Sequence, residues 1–244
     1  MIMRVIGIIG YKKSGKTTLT LKLSNELTKR GYKVAVVKHI SEDLDLANSD
    51  TSKYQEGLTQ VAAITPKESV FFLKNKKNLE EIIKYFEADI ILIEGFKKQK
   101  TFPKIVCLRE ESEKAELFDG LQLCTAGFVS KGVDPKLYDF NILNDEDIKK
   151  IAEIAINKSF KLPNLNCGEC GYQDCYGLAQ EIVRGIKNID DCISLRADTL
   201  VKVDGEKVSI NPFISKMLRN TIIGMLSSLK GFTKGDIEIK IKKK

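Results

Sequence analysis

Hydrophobic and polar positions along the first 160 residues predict strands and helices in alternation. An apolar run over residues 5–9 precedes a leucine-rich helical segment that ends near Lys29, and Gly31 is a natural terminator. A second apolar strand follows over residues 33–38. A strand, a helix and a strand joined by so short a return form a right-handed parallel crossover. The pattern therefore predicts an α/β fold, with a mostly parallel sheet flanked by helices.

Further elements extend this order as far as residue 160. They are predicted strands at 61–65, 70–73, 89–96, 105–109 and 124–129, and predicted helices at 78–86 and 145–157. We therefore place the first domain at residues 1–160.

The rest of the chain predicts two smaller parts. Residues 161–200 hold a turn-rich join and four closely spaced cysteines, and they are expected to form a small α+β domain. Residues 201–244 predict a hairpin that turns at Asp204, an amphipathic helix that begins after Asn211, and an alternating strand over 236–242. The apolar stripe of that helix is expected in a core or a dimer face.

The loop between the first strand and the first helix is a P-loop in its expected context, with the sequence GYKKSGKT over residues 10–17. Gly10 and Gly15 let the backbone turn tightly, so that consecutive N–H groups approach phosphate oxygens. Lys16 reaches the β and γ phosphates, and the Thr17 hydroxyl suits Mg2+. The following helix presents its positive dipole end to the same anion. The sequence thus predicts a P-loop NTPase fold that binds a nucleotide.

Acidic residues supply candidate metal ligands near this loop. The strand over 89–96 stops at Glu94, as a Walker B strand does, and its carboxylate is expected opposite the P-loop, where it helps to hold Mg2+. A loop after the second strand contributes Asp43, Asp45 and Asp50. Each of these is either a Mg2+ ligand, direct or through water, or an ordinary surface charge.

Cationic side chains follow Glu94 in a basic loop that contains Lys97, Lys98 and Lys100. They either meet phosphate groups of a second ligand or are simply solvated. His39, the single histidine, ends the second strand. Packing there and a place in the site are equally compatible with the sequence.

Composition limits the compartment and the partners. The 244 residues are 43% hydrophobic and 30% charged, which is typical of a soluble globular protein. No apolar run reaches the roughly 20 residues of a membrane-spanning helix, and the N-terminus resembles no signal peptide, so we expect a cytoplasmic protein without a membrane partner. The net charge of +7 is spread along the chain, which favours phosphate ligands over nucleic acid. Lys131 and Asp134 do not have the spacing of a guanine-reading motif, so the base preference does not follow from the residues.

The six cysteines fall into two classes. Cys107 and Cys124 are isolated among apolar residues and are expected to be core thiols. The other four have the spacing C-x2-C-x4-C-x16-C and are Cys167, Cys170, Cys175 and Cys192. Four thiolates satisfy the four irons of a 4Fe-4S cluster. Structural zinc and unligated thiols remain the alternatives, although zinc sites typically use two close pairs and only one is present.

Several of these motifs together resemble the molybdopterin-guanine dinucleotide biosynthesis protein B (MobB) family over about residues 1–158. The matching motifs are the P-loop, Val37-Lys38-His39, Asp50-Thr51-Ser52 with Glu56-Gly57, Leu92-Ile93-Glu94-Gly95-Phe96, Pro103-Lys104-Ile105-Val106 and Arg109. The cysteine region also resembles the 4Fe-4S domains of corrinoid iron-sulfur proteins and of Rnf-type electron-transfer B subunits.

The resemblance implies a GTP-binding protein with Mg2+, weak GTPase activity and a homodimeric state. It also implies a partner guanylyltransferase that joins a guanine nucleotide to molybdopterin or its tungsten form. The nucleotide-binding residues carried over are Gly10, Lys13, Ser14, Gly15, Lys16, Thr17 and Thr18. Thr17, Asp50 and Glu94 are the metal-side candidates, and Lys16 and Glu94 are the candidate catalytic residues.

Our leading hypothesis is therefore a GTP-binding accessory protein of cofactor biosynthesis that carries an iron-sulfur module. The alternative is a nucleotide-gated iron-sulfur ATPase that transfers electrons to a redox partner or carries clusters. That alternative leaves the region from Glu94 to Arg109 unexplained. A nucleic-acid-binding ATPase would need a stacking aromatic platform, and a small-molecule kinase would transfer phosphate to an added acceptor.

Overall fold

The chain folds into two compact units, Met1–Lys161 and Leu162–Lys244. The structure is a computed structural model. It describes residues 3–40, 58–73, 75–128, 135–196, 199–204, 206–208, 210–232 and 237–241. The further division of the second unit at residue 200 stays a prediction.

The first unit is built on a parallel sheet. Its strands are β1 (Arg4–Gly10), β2 (Val34–Lys38), β3 (Gln60–Ile64), β4 (Ser69–Leu73), β5 (Ile90–Glu94), β6 (Lys104–Cys107), β7 (Gln122–Gly127) and β8 (Phe140–Asn141). Among the described residues, six of them form one sheet in the order β2-β5-β1-β6-β7-β8, and every neighbouring pair is parallel. The predicted α/β fold is confirmed, and the ends of β1 and β5 meet at one edge.

Helices cover both faces of this sheet. They are α1 (Lys16–Lys29), α2 (Leu79–Ile82), α3 (Lys114–Leu117) and α4 (Asp145–Lys158). One core joins Ile6 and Ile8 of β1 to α1 and α4, while Val5 faces a second core with Leu79 and Phe102. The alternation of β1 side chains therefore serves two packed layers.

The predicted helix at 78–86 is shorter than expected. Asn78 and Glu81 form a reciprocal capping box at the start of α2, and the helix tightens into a 3-10 turn over Ile83–Tyr85. The strands β3 and β4 lie outside the main sheet, where they pair with each other in an antiparallel hairpin. Phe71 is 74% exposed on this hairpin.

The second unit contains α5 (Cys175–Val183), β9 (Val201–Val203), β10 (Glu206–Val208) and α6 (Pro212–Leu226). The strands β9 and β10 form the predicted hairpin, and the Asn211 side chain caps α6 by accepting from the N–H of Ile214. The predicted strand over 236–242 is not present in its described part, 237–241. Alternation alone does not make a strand, because the backbone also needs a partner edge.

The apolar stripe of α6 is only partly covered. Met217 and Met225 are 47% and 69% exposed, whereas Ile214, Leu218, Ile222 and Leu226 are half-buried. In the described parts of the chain, no helix is both long and apolar enough to cross a membrane.

Candidate functional site

The P-loop connects the C-terminal end of β1 to the first turn of α1, and two glycines set its shape. Gly15 precedes α1 with a left-handed φ of 91°, where a Cβ would lie 2.7 Å from a ring carbon of Phe128. A Cβ on Gly10 would lie 2.5 Å from the carbonyl oxygen of Cys107. Lys13 also adopts a positive φ of 64°, which costs energy for a residue with a Cβ. The loop conformation therefore requires glycine at both predicted positions.

Polar groups of the loop suit an anionic ligand. Ser14 is 1% exposed, and its hydroxyl oxygen has no hydrogen-bond partner among the described residues. A buried hydroxyl without a partner is costly, and a phosphate oxygen would satisfy it. The Lys16 ammonium donates to the carbonyl oxygen of Tyr11 within the same loop. Thr18 is half-buried in the first turn of α1. The residues present thus fit a phosphate group.

Glu94 lies opposite the P-loop, as the sequence predicts. It ends β5 beside β1 and is 6% exposed. The hydroxyl of Thr17 donates to its Oε1 at 2.8 Å, and the Lys38 ammonium lies 3.6 Å from the same oxygen. Two oxygen groups from different elements therefore meet at one point, which is the donor chemistry that Mg2+ prefers.

The four clustered cysteines lie in the second unit on two segments. Cys175 starts α5 and is buried, as is Cys192, whereas Cys167 and Cys170 are half-buried, and all four are free thiols. Cys167 Sγ is 3.4 Å from Ser194 Oγ. The segment after α5 thus lies beside the segment before it at this contact, and the gathering of all four cysteines around one cluster stays a prediction.

The surroundings of Cys192 connect the two segments electrostatically. Burial raises the pKa of its thiol, hydrogen bonds from the backbone N–H groups of Leu195 and Ser194 lower it, and the charges of Cys175 and Cys170 raise it. Within the described residues, no three His, Cys, Asp or Glu side chains are grouped as the ligands of a metal ion. The donor set nevertheless fits an iron-sulfur cluster, because such clusters take Cys thiolates with N–H hydrogen bonds to sulfur.

Comparison with known proteins decides the family. Residues 5–129, more than half of the chain, match the sequence model of MobB, "Molybdopterin guanine dinucleotide synthesis protein B". The chain belongs to the MobB family. Residues 162–194 match a second family model, "Putative Fe-S cluster". Each match falls within one of the two compact units.

Relatives of the MobB-family chain carry related names. A Methanocaldococcus jannaschii protein, "Putative molybdopterin-guanine dinucleotide biosynthesis adapter protein", is 35% identical over 237 residues, which are 94% of this chain and 93% of the relative. A Haemophilus influenzae "Molybdopterin-guanine dinucleotide biosynthesis adapter protein" is 33% identical over 146 residues, 56% of this chain and 82% of the relative. The crystal structure of Bacillus subtilis MobB matches at TM-score 0.51 and 18% identity, over 62% of this chain and 97% of that one. This last likeness shows a shared fold.

The sequence also singled out an acidic loop, one histidine and two isolated cysteines in the MobB-family chain. Asp43, Asp45 and Asp50 lie outside the described residues. His39 is exposed, and its ring is 4.7 Å from that of Phe96, so it contacts the turn after Glu94. Cys107 and Cys124 are core thiols as predicted: both are buried, and burial raises the pKa of each to about 12.

An ion pair under the basic loop was missed by sequence reasoning. Lys104 begins β6 and is fully buried, and its ammonium donates to Asp119 at 2.5 Å and to the carbonyl oxygen of Lys97 at 2.8 Å. Lys100 also donates to Asp119 at 2.8 Å. Burial lowers the pKa of Lys104, and Asp119 opposes that shift. The basic loop is therefore anchored to β6. The sequence feature that could have indicated this buried lysine is its position at the start of a strand.

Proposed function

We propose that the protein is a GTP-binding adapter in molybdopterin or tungstopterin guanine dinucleotide biosynthesis, with weak GTPase activity. The contact that carries this proposal is the 2.8 Å hydrogen bond from Thr17 to Glu94, which joins the P-loop to a strand-end carboxylate. A glycine loop with a purely structural role would not require the buried Glu94 carboxylate beside Lys38 and the Thr17 hydroxyl. The names of the relatives support the pathway.

In this proposal, different residues of the first unit bind different parts of the nucleotide and its metal ion. The backbone of residues 10–18, with Lys13, Ser14 and Thr18, binds the phosphates, and Lys16 neutralises the charge on the outer ones. Thr17 and Glu94 hold Mg2+, with Asp50 as a further candidate ligand. When bound, Mg2+ supplies charge neutralisation at the phosphate oxygens.

The second unit holds the iron-sulfur module in our proposal. Cys167, Cys170, Cys175 and Cys192 ligate a 4Fe-4S cluster, which supplies one-electron redox chemistry when bound. We further propose a homodimer that delivers the guanine nucleotide to a partner molybdopterin guanylyltransferase.

The test compares nucleotide binding by calorimetry with and without Mg2+, for the wild type, Glu94→Gln and Glu153→Gln. We expect a GTP preference over ATP, and a Mg2+-dependent gain in affinity that falls about tenfold in Glu94→Gln, from the loss of one charge-assisted contact. Glu153 is an exposed carboxylate on α4, and its variant controls for charge alone. A preference for ATP, or equal behaviour of the two variants, would contradict the proposal.

Iron and sulfide analysis of anaerobically purified protein tests the module. About four irons per chain are expected from a 4Fe-4S cluster. Zinc in place of iron would make the second unit a structural or docking module. A cluster that can be reduced and reoxidised reversibly, together with a preference for ATP, would favour the electron-transfer ATPase.

A further inference from the structure

We propose that Lys97 and Arg109, gathered around the ring of Tyr11, form a second phosphate-binding site beside the P-loop. The inference rests on the proposed nucleotide function and extends it. The ligand class is a phosphate group, which belongs either to the end of the nucleotide or to a second, phosphate-bearing ligand.

Tyr11 brings three cations together. It directly follows Gly10 in the P-loop, and the Lys97 ammonium lies 3.4 Å from its ring centroid. The Arg109 guanidinium carbon lies 5.6 Å from the same centroid. The Lys16 ammonium donates to the carbonyl oxygen of the same tyrosine. Two cations outside the P-loop motif thus reach the residue that the P-loop lysine contacts.

Lys97 is held in this position by the fold. Its carbonyl oxygen accepts from the ammonium of Lys104, which is fully buried and paired with Asp119. The Phe96 residue before it has a positive φ of 51°, which turns the chain sharply after Glu94 and Gly95. The cost of that conformation is met by the surrounding contacts. Lys97 is therefore a positioned cation, whereas its neighbour Lys98 is exposed.

Arg109 is held from below by a buried carboxylate. Glu113 accepts from its backbone N–H at 2.9 Å and from Nε at 2.6 Å. Nη1 donates to the carbonyl oxygen of Lys12 at 3.2 Å, which joins Arg109 to the P-loop. A guanidinium has five N–H donors in a planar fork suited to phosphate, and these side-chain contacts use two of them.

Three cations and two carboxylates surround Tyr11: Glu113 is paired with Arg109, and Glu116 accepts from the Tyr11 hydroxyl, so the cations exceed the carboxylates by one. Burial lowers the pKa of Lys97, and the charges of Lys16 and Arg109 lower it further, while Glu116 and Glu113 oppose the shift. Like charges in proximity repel one another, and a phosphate group placed between them would replace that repulsion with attraction.

The test is calorimetric titration of three probes: GTP, GDP, and inorganic phosphate added to the GDP-loaded protein. The variants are Lys97→Met and the matched control Lys98→Met, which removes the same charge one residue away. Loss of a charge-assisted hydrogen bond predicts roughly 10- to 100-fold weaker binding in Lys97→Met. A loss for GTP but not for GDP identifies the terminal phosphate. A loss for inorganic phosphate with both nucleotides unchanged identifies a second ligand.

The inference is overturned if Lys97→Met and Lys98→Met give the same affinities for all three probes. Arg109→Lys provides a second variant, because it keeps a cation above Glu113 while removing the planar fork, and a several-fold loss with the same probe is expected. Failure of the wild type to bind GTP or GDP would count against the proposed function instead. Inorganic phosphate titrated into the protein alone would then decide the inference.

Discussion

Replacing Asp119 by asparagine is expected to destabilise the first unit more than replacing its partner Lys104 by methionine. The two residues form one ion pair, but their surroundings differ. The Lys104 side chain is 0% exposed, whereas that of Asp119 is 13% exposed and has a second partner in Lys100. Removing either member therefore leaves a different charge behind.

The magnitudes follow from what remains. Asp119→Asn leaves the buried Lys104 ammonium without its carboxylate, and an uncompensated buried charge costs about 3–5 kcal/mol. Lys104→Met leaves a carboxylate that keeps Lys100, so the loss is near that of a charged hydrogen bond, about 1.5–3 kcal/mol, and methionine burial offsets part of it. We expect a difference of about 2 kcal/mol between the variants.

Urea unfolding monitored by circular dichroism measures both free energies of unfolding. Lys98→Met, an exposed lysine in the same loop, is the control and should stay within about 0.5 kcal/mol of the wild type. If Lys104→Met is as destabilising as Asp119→Asn, the reasoning from burial is wrong.

Three further predictions concern separate features. Gly15→Ala should destabilise the first unit more than Gly31→Ala in urea unfolding. Both glycines have φ near 90°, but a Cβ at Gly15 would lie 2.7 Å from a ring carbon, whereas a Cβ at Gly31 would meet open space. Equal losses of stability, each about 1–2 kcal/mol, would refute this. If the proposed 4Fe-4S cluster is present, Ser194→Ala should lower its midpoint potential in an anaerobic redox titration. The Ser194 hydroxyl, 3.4 Å from Cys167 Sγ, would donate to the ligating sulfur and stabilise the more negative reduced state. An unchanged potential would contradict this. Burial raises the pKa of Asp119, yet its two lysine partners hold that pKa below the ordinary value of an aspartate. The ionised carboxylate therefore stabilises the folded state above the ordinary pKa, and this stabilisation is lost as pH falls through the pKa of the folded state. Acid unfolding of Asp119→Asn should lack that component.

Local patterns made the centre of the candidate site predictable. The P-loop glycines and the carboxylate that ends β5 are each specified by a few consecutive residues, and parallel strands then bring them to one edge of the sheet. The contact between Thr17 and Glu94, which lie 77 positions apart, follows from that topology.

Long-range partners were harder to predict. The sequence gives the strands around Pro66, but it does not say that β3 and β4 pair with each other outside the main sheet. From the sequence, Lys104 is interpreted as the end of a basic loop. Its counter-charge Asp119 lies 15 residues away, so the neighbouring residues do not indicate the ion pair. The alternation over 236–242 predicts a strand, but the described residues 237–241 form none, since strand formation depends on a neighbour that the pattern does not specify.

Lys38 lies where it would compete with the proposed Mg2+ for Glu94. Its ammonium lies 3.6 Å from Glu94 Oε1, the same oxygen that accepts from Thr17. A divalent ion that binds between Thr17 and Glu94 therefore exchanges one cation for another at this carboxylate. In the proposed function, the net gain would be the difference between two attractions, so the metal would be held firmly only when nucleotide phosphates add their own charge. Metal and nucleotide would consequently enter and leave together.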